Sequence, residues 1–202
     1  MDWVNILAEE SRRNDLILVD QLVKKYAIDP KAVSKALLRY ESRGLIERVT
    51  HKVYINKLSS DFSSQDLVNV LRPNSYVSLE SALHFWGIST QSTAVLTCVT
   101  PDKPRYFKGR SFAVKYRSIA DGLYWGFIQK RTRYGSYKIA EPEKALLDFV
   151  YLSLQEGYKQ PSLDELDFSR LDRAKLNGYL RKYPTSVRKA LLPELAGLPQ
   201  VA

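Results

Sequence analysis

Between Asp29 and Gly44 the chain spells out a helix with both of its ends, and this segment constrains the fold more than any other. Asp29 is a strong N-cap, and Pro30 suits the first helical position because the N–H it lacks would be unpaired there anyway. Gly44 can take the left-handed conformation that stops a helix. Val33, Leu37 and Tyr40 recur at helical spacing and predict a side that faces a small core. With about 3.6 residues per turn, Lys31, Lys35, Arg39 and Ser42 gather on the opposite side, with Leu38 at its edge.

The flanking residues complete a pattern. An opening helix over 2–13 has Trp3, Ile6, Leu7 and Glu10 along one side, Asn14-Asp15 breaks it, and Val19 to Tyr26 predicts a second helix. After Gly44, residues 45–49 and 52–56 read as a short hairpin with Thr50-His51 at its tip, ending near Lys57. Two helices, a tight turn and a basic hairpin follow the plan of a winged helix-turn-helix, which sets its second helix in a DNA major groove. On that plan Lys31, Lys35, Arg39 and Ser42 face bases, Arg39 being the candidate for guanine and Leu38 for a thymine methyl. Arg43, Arg48, Thr50, His51 and Lys52 hold phosphates, which position the protein without reading sequence. A solvated helix side or a protein-contact element are the competing readings of the same charges.

Charge is distributed unevenly. The formal net charge is +9, and residues 101–140 hold 10 Lys/Arg against 2 Asp/Glu, whereas residues 141–202 balance at 9 against 9. An acidic partner is consistent with that excess. The basic block sets Lys103, Arg105, Lys108, Arg110, Lys115, Arg117, Lys130, Arg131 and Arg133 among aromatic residues. It reads as a second basic surface with three open uses: solvated surface, added DNA contact, or a docking face for an acidic protein.

Several classes find no support in the sequence. A single cysteine, Cys98, in the apolar run 95–99 rules out an internal disulfide framework and reads as a buried thiol. Two histidines and one cysteine cannot assemble the usual zinc site. His51 reads as passive at a hairpin tip, and His84 as a polar residue on its helix. There is no Gly-rich phosphate loop and no Gly-x-Ser-x-Gly elbow, and Glu141-Pro142-Glu143-Lys144 lacks the nuclease arrangement of acids and lysine. The chain is read as a non-enzyme without metal or cofactor. The first residues lack a signal-peptide plan and no apolar run approaches membrane-spanning length, so the expected compartment is the cytoplasm.

The serine-rich stretch 58–65 suggests a boundary between a winged helix-turn-helix domain at 1–58 and a second domain at 66–202. In the second, Ser78 can cap a helix with Leu79, Ala82, Leu83 and Trp86 on one side, ended by Gly87. Residues 95–100, 111–117 and 124–128 read as strands, with Phe112, Val114 and Tyr116 alternating against Lys115 and Arg117. Pro142 opens a strong helix through Leu154, and helical pieces follow near Asp164, over 172–183 and after Thr185. The fold class is α+β: a winged helix-turn-helix, then a mixed α/β domain with a helical tail.

Three stretches of the second half carry a family resemblance. They are Tyr76-Val77-Ser78-Leu79-Glu80-Ser81-Ala82-Leu83 with Gly87 after it, Val95-Leu96-Thr97-Cys98-Val99-Thr100 leading to Arg105, and Ile139-Ala140-Glu141-Pro142-Glu143-Lys144-Ala145-Leu146-Leu147-Asp148. In this order they resemble the AbiEi antitoxin family of abortive-infection type IV toxin–antitoxin systems, over most of the chain. The resemblance implies a repressor that binds inverted repeats in its own promoter as two copies and counters a nucleotidyltransferase-like toxin without a stable complex. It also implies that Tyr76, Leu79, Leu83, Pro142, Leu146 and Leu147 pack the fold. Glu80, Glu143, Lys144 and Asp148 then form either an internal ion-pair network or a functional surface. Two alternatives stay open: a stand-alone regulator whose second domain senses a ligand or protein, and a nucleic-acid-processing enzyme.

Overall fold

The computed structural model describes residues 2–58, 62–133, 135–157 and 163–196 and shows an α+β chain. It opens with α1 (Trp3–Ser11), capped by the Asp2 carboxylate, which accepts the N–H groups of Val4 and Asn5. A strand the sequence did not announce, β1 (Leu16–Leu18), follows and leads directly into α2 (Val19–Tyr26). Next come α3 (Pro30–Ser42), β2 (Ile46–Arg48) and β3 (Val53–Asn56). The hairpin pairs as expected, and β1 joins it on the other side of β3 to give an antiparallel sheet in the order β1-β3-β2.

The caps of α3 work as the residue types require. Asp29 accepts from the N–H groups of Lys31 and Ala32, and Gly44 stands at φ +74° after the helix ends. Ala27, which ends α2, is also left-handed, at φ +50°, a conformation that costs a residue with a Cβ. Val33, Leu37 and Tyr40 are buried and join Trp3, Leu7, Leu22 and Ile46 in a small core.

The larger part begins with α4 (Leu67–Leu71), just after the serine-rich stretch. It continues through β4 (Tyr76–Val77), α5 (Leu79–Phe85), β5 (Leu96–Thr100), β6 (Arg105–Lys108) and β7 (Ala113–Ser118). Then come β8 (Phe127–Arg131), β9 (Ser136–Ala140), α6 (Pro142–Gln155), α7 (Arg173–Leu180) and α8 (Thr185–Ala196). Six strands form one mixed sheet in the order β6-β7-β5-β4-β9-β8. The expected strand at 124–128 starts only at Phe127, because Tyr124 closes a short 3-10 turn. The helix expected near Asp164 is a turn held by a bridge between Ser89 and Leu166. Helix α6 is the hub, packing against α5, α7 and α8.

The two parts share packing. Leu16, Val53 and Ile55, all on the three-stranded sheet, belong to the larger hydrophobic core with Leu67, Tyr76 and Val99. Glu47 on β2 adds a polar clasp. Its carboxylate accepts the backbone N–H of Arg110 at 2.6 Å and the Ser111 hydroxyl at 2.6 Å, and it pairs with Lys57 at 2.9 Å. Gly109 is needed beside it, since a Cβ there would lie 2.3 Å from the Glu47 carboxylate and 2.2 Å from the Phe112 ring.

Candidate nucleic-acid interface

Helix α3 presents Lys31, Lys35, Arg39 and Ser42 to solvent, opposite the buried Val33, Leu37 and Tyr40. Leu38 lies on the same side and is 51% exposed, an apolar residue in a cationic surround. Arg39 and Arg43 both lean on the Tyr40 ring, with guanidinium carbons 5.1 and 5.8 Å from its centroid. A buried aromatic thus orders two otherwise floppy cations at the C-terminal end of the helix. The Ser42 hydroxyl donates to the Arg39 carbonyl at 2.8 Å, so its hydrogen is already used within the helix.

The hairpin supplies Arg48 and His51, both exposed. The Thr50 oxygen accepts the Lys52 N–H, and Lys52 itself pairs with Asp20 on α2 at 3.1 Å. That pair is exposed on both sides, so it costs little to break when a phosphate competes.

The central basic block does not form one surface. Arg105, Lys108 and Lys115 lie on β6 and β7 at one margin of the six-stranded sheet, whereas Arg131 lies on β8 at the other. Four strand spacings separate β7 from β8, about 19 Å. Lys103, Arg110 and Arg133 are exposed in adjoining loops. Two members are committed inward. Arg117 donates to the Leu152 carbonyl and pairs with Glu156 at 2.7 Å, and Lys130 sits over the Phe85 and Trp86 rings. A run along the sequence became two separated groups because the chain crosses the sheet between β7 and β8.

Polar residues of the second half form a closed network instead. Lys144 and Asp148, four apart on α6 and both fully buried, pair directly. Lys144 also donates to the Tyr76 and Tyr183 hydroxyls at 2.9 and 2.7 Å. Asp148 accepts from Tyr76 at 3.0 Å, Ser78 at 2.8 Å and Tyr183 at 2.6 Å. Ser78 therefore spends its hydroxyl on Asp148 and does not cap α5, whose first residue, Leu79, is held at φ +56°. Rings of Tyr76, Trp125 and Tyr183 surround the ammonium at 5.1–5.3 Å. Burial holds the Lys144 pKa below that of an ordinary lysine, although Asp148 pulls the other way. Burial, with Asp148 beside them, pushes the Tyr76 and Tyr183 hydroxyls up.

Glu143 lies apart from this network, accepting the Asp172 N–H at 2.9 Å and standing 3.6 Å from Lys175. Glu80 joins neither group. Burial likewise pushes the Cys98 thiol up, which makes it a poor nucleophile. Among the described residues no cluster of three His, Cys, Asp or Glu side chains could hold a metal, and no helix is long and apolar enough to cross a membrane. Comparison with family models and with curated proteins finds no match to this chain.

Proposed function

We propose that this chain is a winged-helix DNA-binding repressor of the AbiEi antitoxin type. The exposed face of α3 carries that reading: three cations and an apolar contact on a helix capped by Asp29, with the Arg48–Lys52 hairpin following it. Arg39, steadied by Tyr40, is the base-reading candidate, and Arg43, Arg48, His51 and Lys52 are the phosphate contacts. One such unit reads only a few base pairs, so two copies on an inverted repeat are expected, and the natural operator is the chain's own promoter. The antitoxin half of the proposal rests on the sequence resemblance. In it the second part counters a nucleotidyltransferase-like toxin from a cytoplasmic location, without catalysis of its own.

A gel-shift titration on the DNA upstream of the gene, with scrambled DNA as competitor, tests the repressor. Lys35→Ala/Arg39→Ala protein should fold normally and lose its preference for the promoter, because both side chains are exposed. With about six phosphates contacted, log affinity should fall against log salt with a slope near about −5. Equal affinity for promoter and scrambled DNA would remove autoregulation. Co-expression with the neighbouring gene, scored by growth, tests the antitoxin.

A further inference from the structure

A cleft of about 660 Å³ lies where the two parts of the molecule meet. Helix α2 and the hairpin tip form one wall, and the end of α4 and strand β6 form the other. Its size is that of a small-ligand site, and sites of this kind favour such joints. Its chemistry is two-sided. The floor is apolar and includes the half-buried Phe107 ring, which stands edge-on to Tyr116 at 6.0 Å.

The rim is cationic, with Lys52, Arg72 and Arg105 set against one acid, Asp20. Two of these cations have partners: Lys52 pairs with Asp20, and Arg72 stands 3.8 Å from Asp102 while donating to the Lys103 carbonyl. Arg105 is exposed and has no acid or carbonyl partner among the described residues. It shares a strand face with Phe107, two residues on. An exposed guanidinium on the same strand face as an aromatic ring suits a flat apolar body that carries a phosphate.

We propose that this cleft binds a nucleoside phosphate, with the base on the Phe107 floor and the phosphates held by Arg105, Arg72 and Lys52. Gln21 and Thr50, also in the lining, offer hydrogen bonds to the base or sugar. The site shares Lys52 and Thr50 with the hairpin of the DNA reading, but it does not depend on the reading of α3 as a DNA-contacting helix.

Calorimetric titration of the full chain with ATP and AMP tests it, with adenosine and inorganic phosphate as the two half-ligands. Saturable nucleotide binding is expected, with each half-ligand at least about ten-fold weaker. Arg105→Ala should weaken ATP binding by about ten-fold or more, whereas Asp20→Asn should tighten it by about two- to five-fold, since Asp20 is the acid among the described lining residues. Both positions are exposed, so a circular dichroism spectrum should be unchanged.

No saturable binding of either nucleotide overturns the proposal. So does inorganic phosphate binding as tightly as ATP, which would make the cleft a general anion patch. A third overturning result is that Arg105→Ala and Asp20→Asn leave nucleotide affinity alone and shift only affinity for a scrambled duplex, which would assign the rim to DNA phosphodiesters. Arg39→Ala serves as the separating control: it should alter promoter binding and leave ATP binding unchanged, so either reading can fail without the other.

Discussion

Single residues hold this fold together at two polar points, one between segments far apart in sequence and one within a single helix. Glu47 is 64 residues from Ser111, yet its carboxylate gathers two backbone N–H groups, a hydroxyl and an ammonium. Burial alone would raise its pKa, but the bonds from Ser111, Lys57 and Arg110 outweigh that and bring it down to about 2. The folded pKa lies below the ordinary value of 4.5, so the clasp adds stability above that value and loses it as pH falls towards 2. Glu47→Gln should cost about 1–3 kcal/mol near neutral pH and almost nothing near about pH 2, as read from urea midpoints. A gap between the two proteins that stays constant with pH would disprove the clasp. The second point is the Lys144–Asp148 pair. Asp148→Asn strips the countercharge from a fully buried ammonium and should destabilise by about 3–5 kcal/mol in the same assay. Replacing both by methionine and leucine should recover only part of that loss, because the lone charge is gone but the buried Tyr76, Ser78 and Tyr183 hydroxyls lose their partners.

At the scale of elements, legibility in the sequence followed the strength of local chemistry. Helix α3 was readable because Asp29, Pro30 and Gly44 fix its ends and its apolar residues keep a helical period. Strand β7 was readable because the buried Val114 and Tyr116 alternate with Lys115 and Arg117. Strands β1 and β4 were not. Leu16-Ile17-Leu18 is three residues of unbroken apolar character, and Tyr76-Val77 is only two, so neither shows a period. Their strand state is imposed by β3 in one case and by β5 and β9 in the other. The α3 positions expected to face DNA are exposed on one side of the helix, whereas the basic block divides between two margins of the sheet, because spacing along a chain says nothing of strand order. The core side of α3 gives a direct check. Leu37 is fully buried at its centre, and Leu37→Ala should cost about 2–5 kcal/mol by denaturant unfolding. A loss under about 0.5 kcal/mol would mean the helix is held by its caps and hairpin alone.

For the whole molecule, the question is whether the two hydrophobic cores behave as two folding units. Composition suggested a boundary in the serine-rich stretch, and each part does have its own core. Yet β1 and β3 feed both cores. Ile17 and Tyr54 point into the small one, and Leu16, Val53 and Ile55 into the large one, as the two-residue period of a strand requires. The three-stranded sheet is therefore sandwiched, and separating the parts would strip apolar cover from three buried side chains and break the Glu47 clasp. Burying a Leu, Val or Ile side chain is worth about 1.5–3 kcal/mol, so the three together represent several kcal/mol, comparable with the net stability of a small domain. Thermal unfolding of the full chain should accordingly be one transition, with calorimetric and van't Hoff enthalpies in agreement. A fragment of residues 1–58 should melt well below it or not fold. Two separated transitions, with the fragment reproducing the lower one unchanged, would show that the shared sheet couples nothing. The single transition would mean that the shared three-stranded sheet joins the two cores into one cooperative unfolding unit.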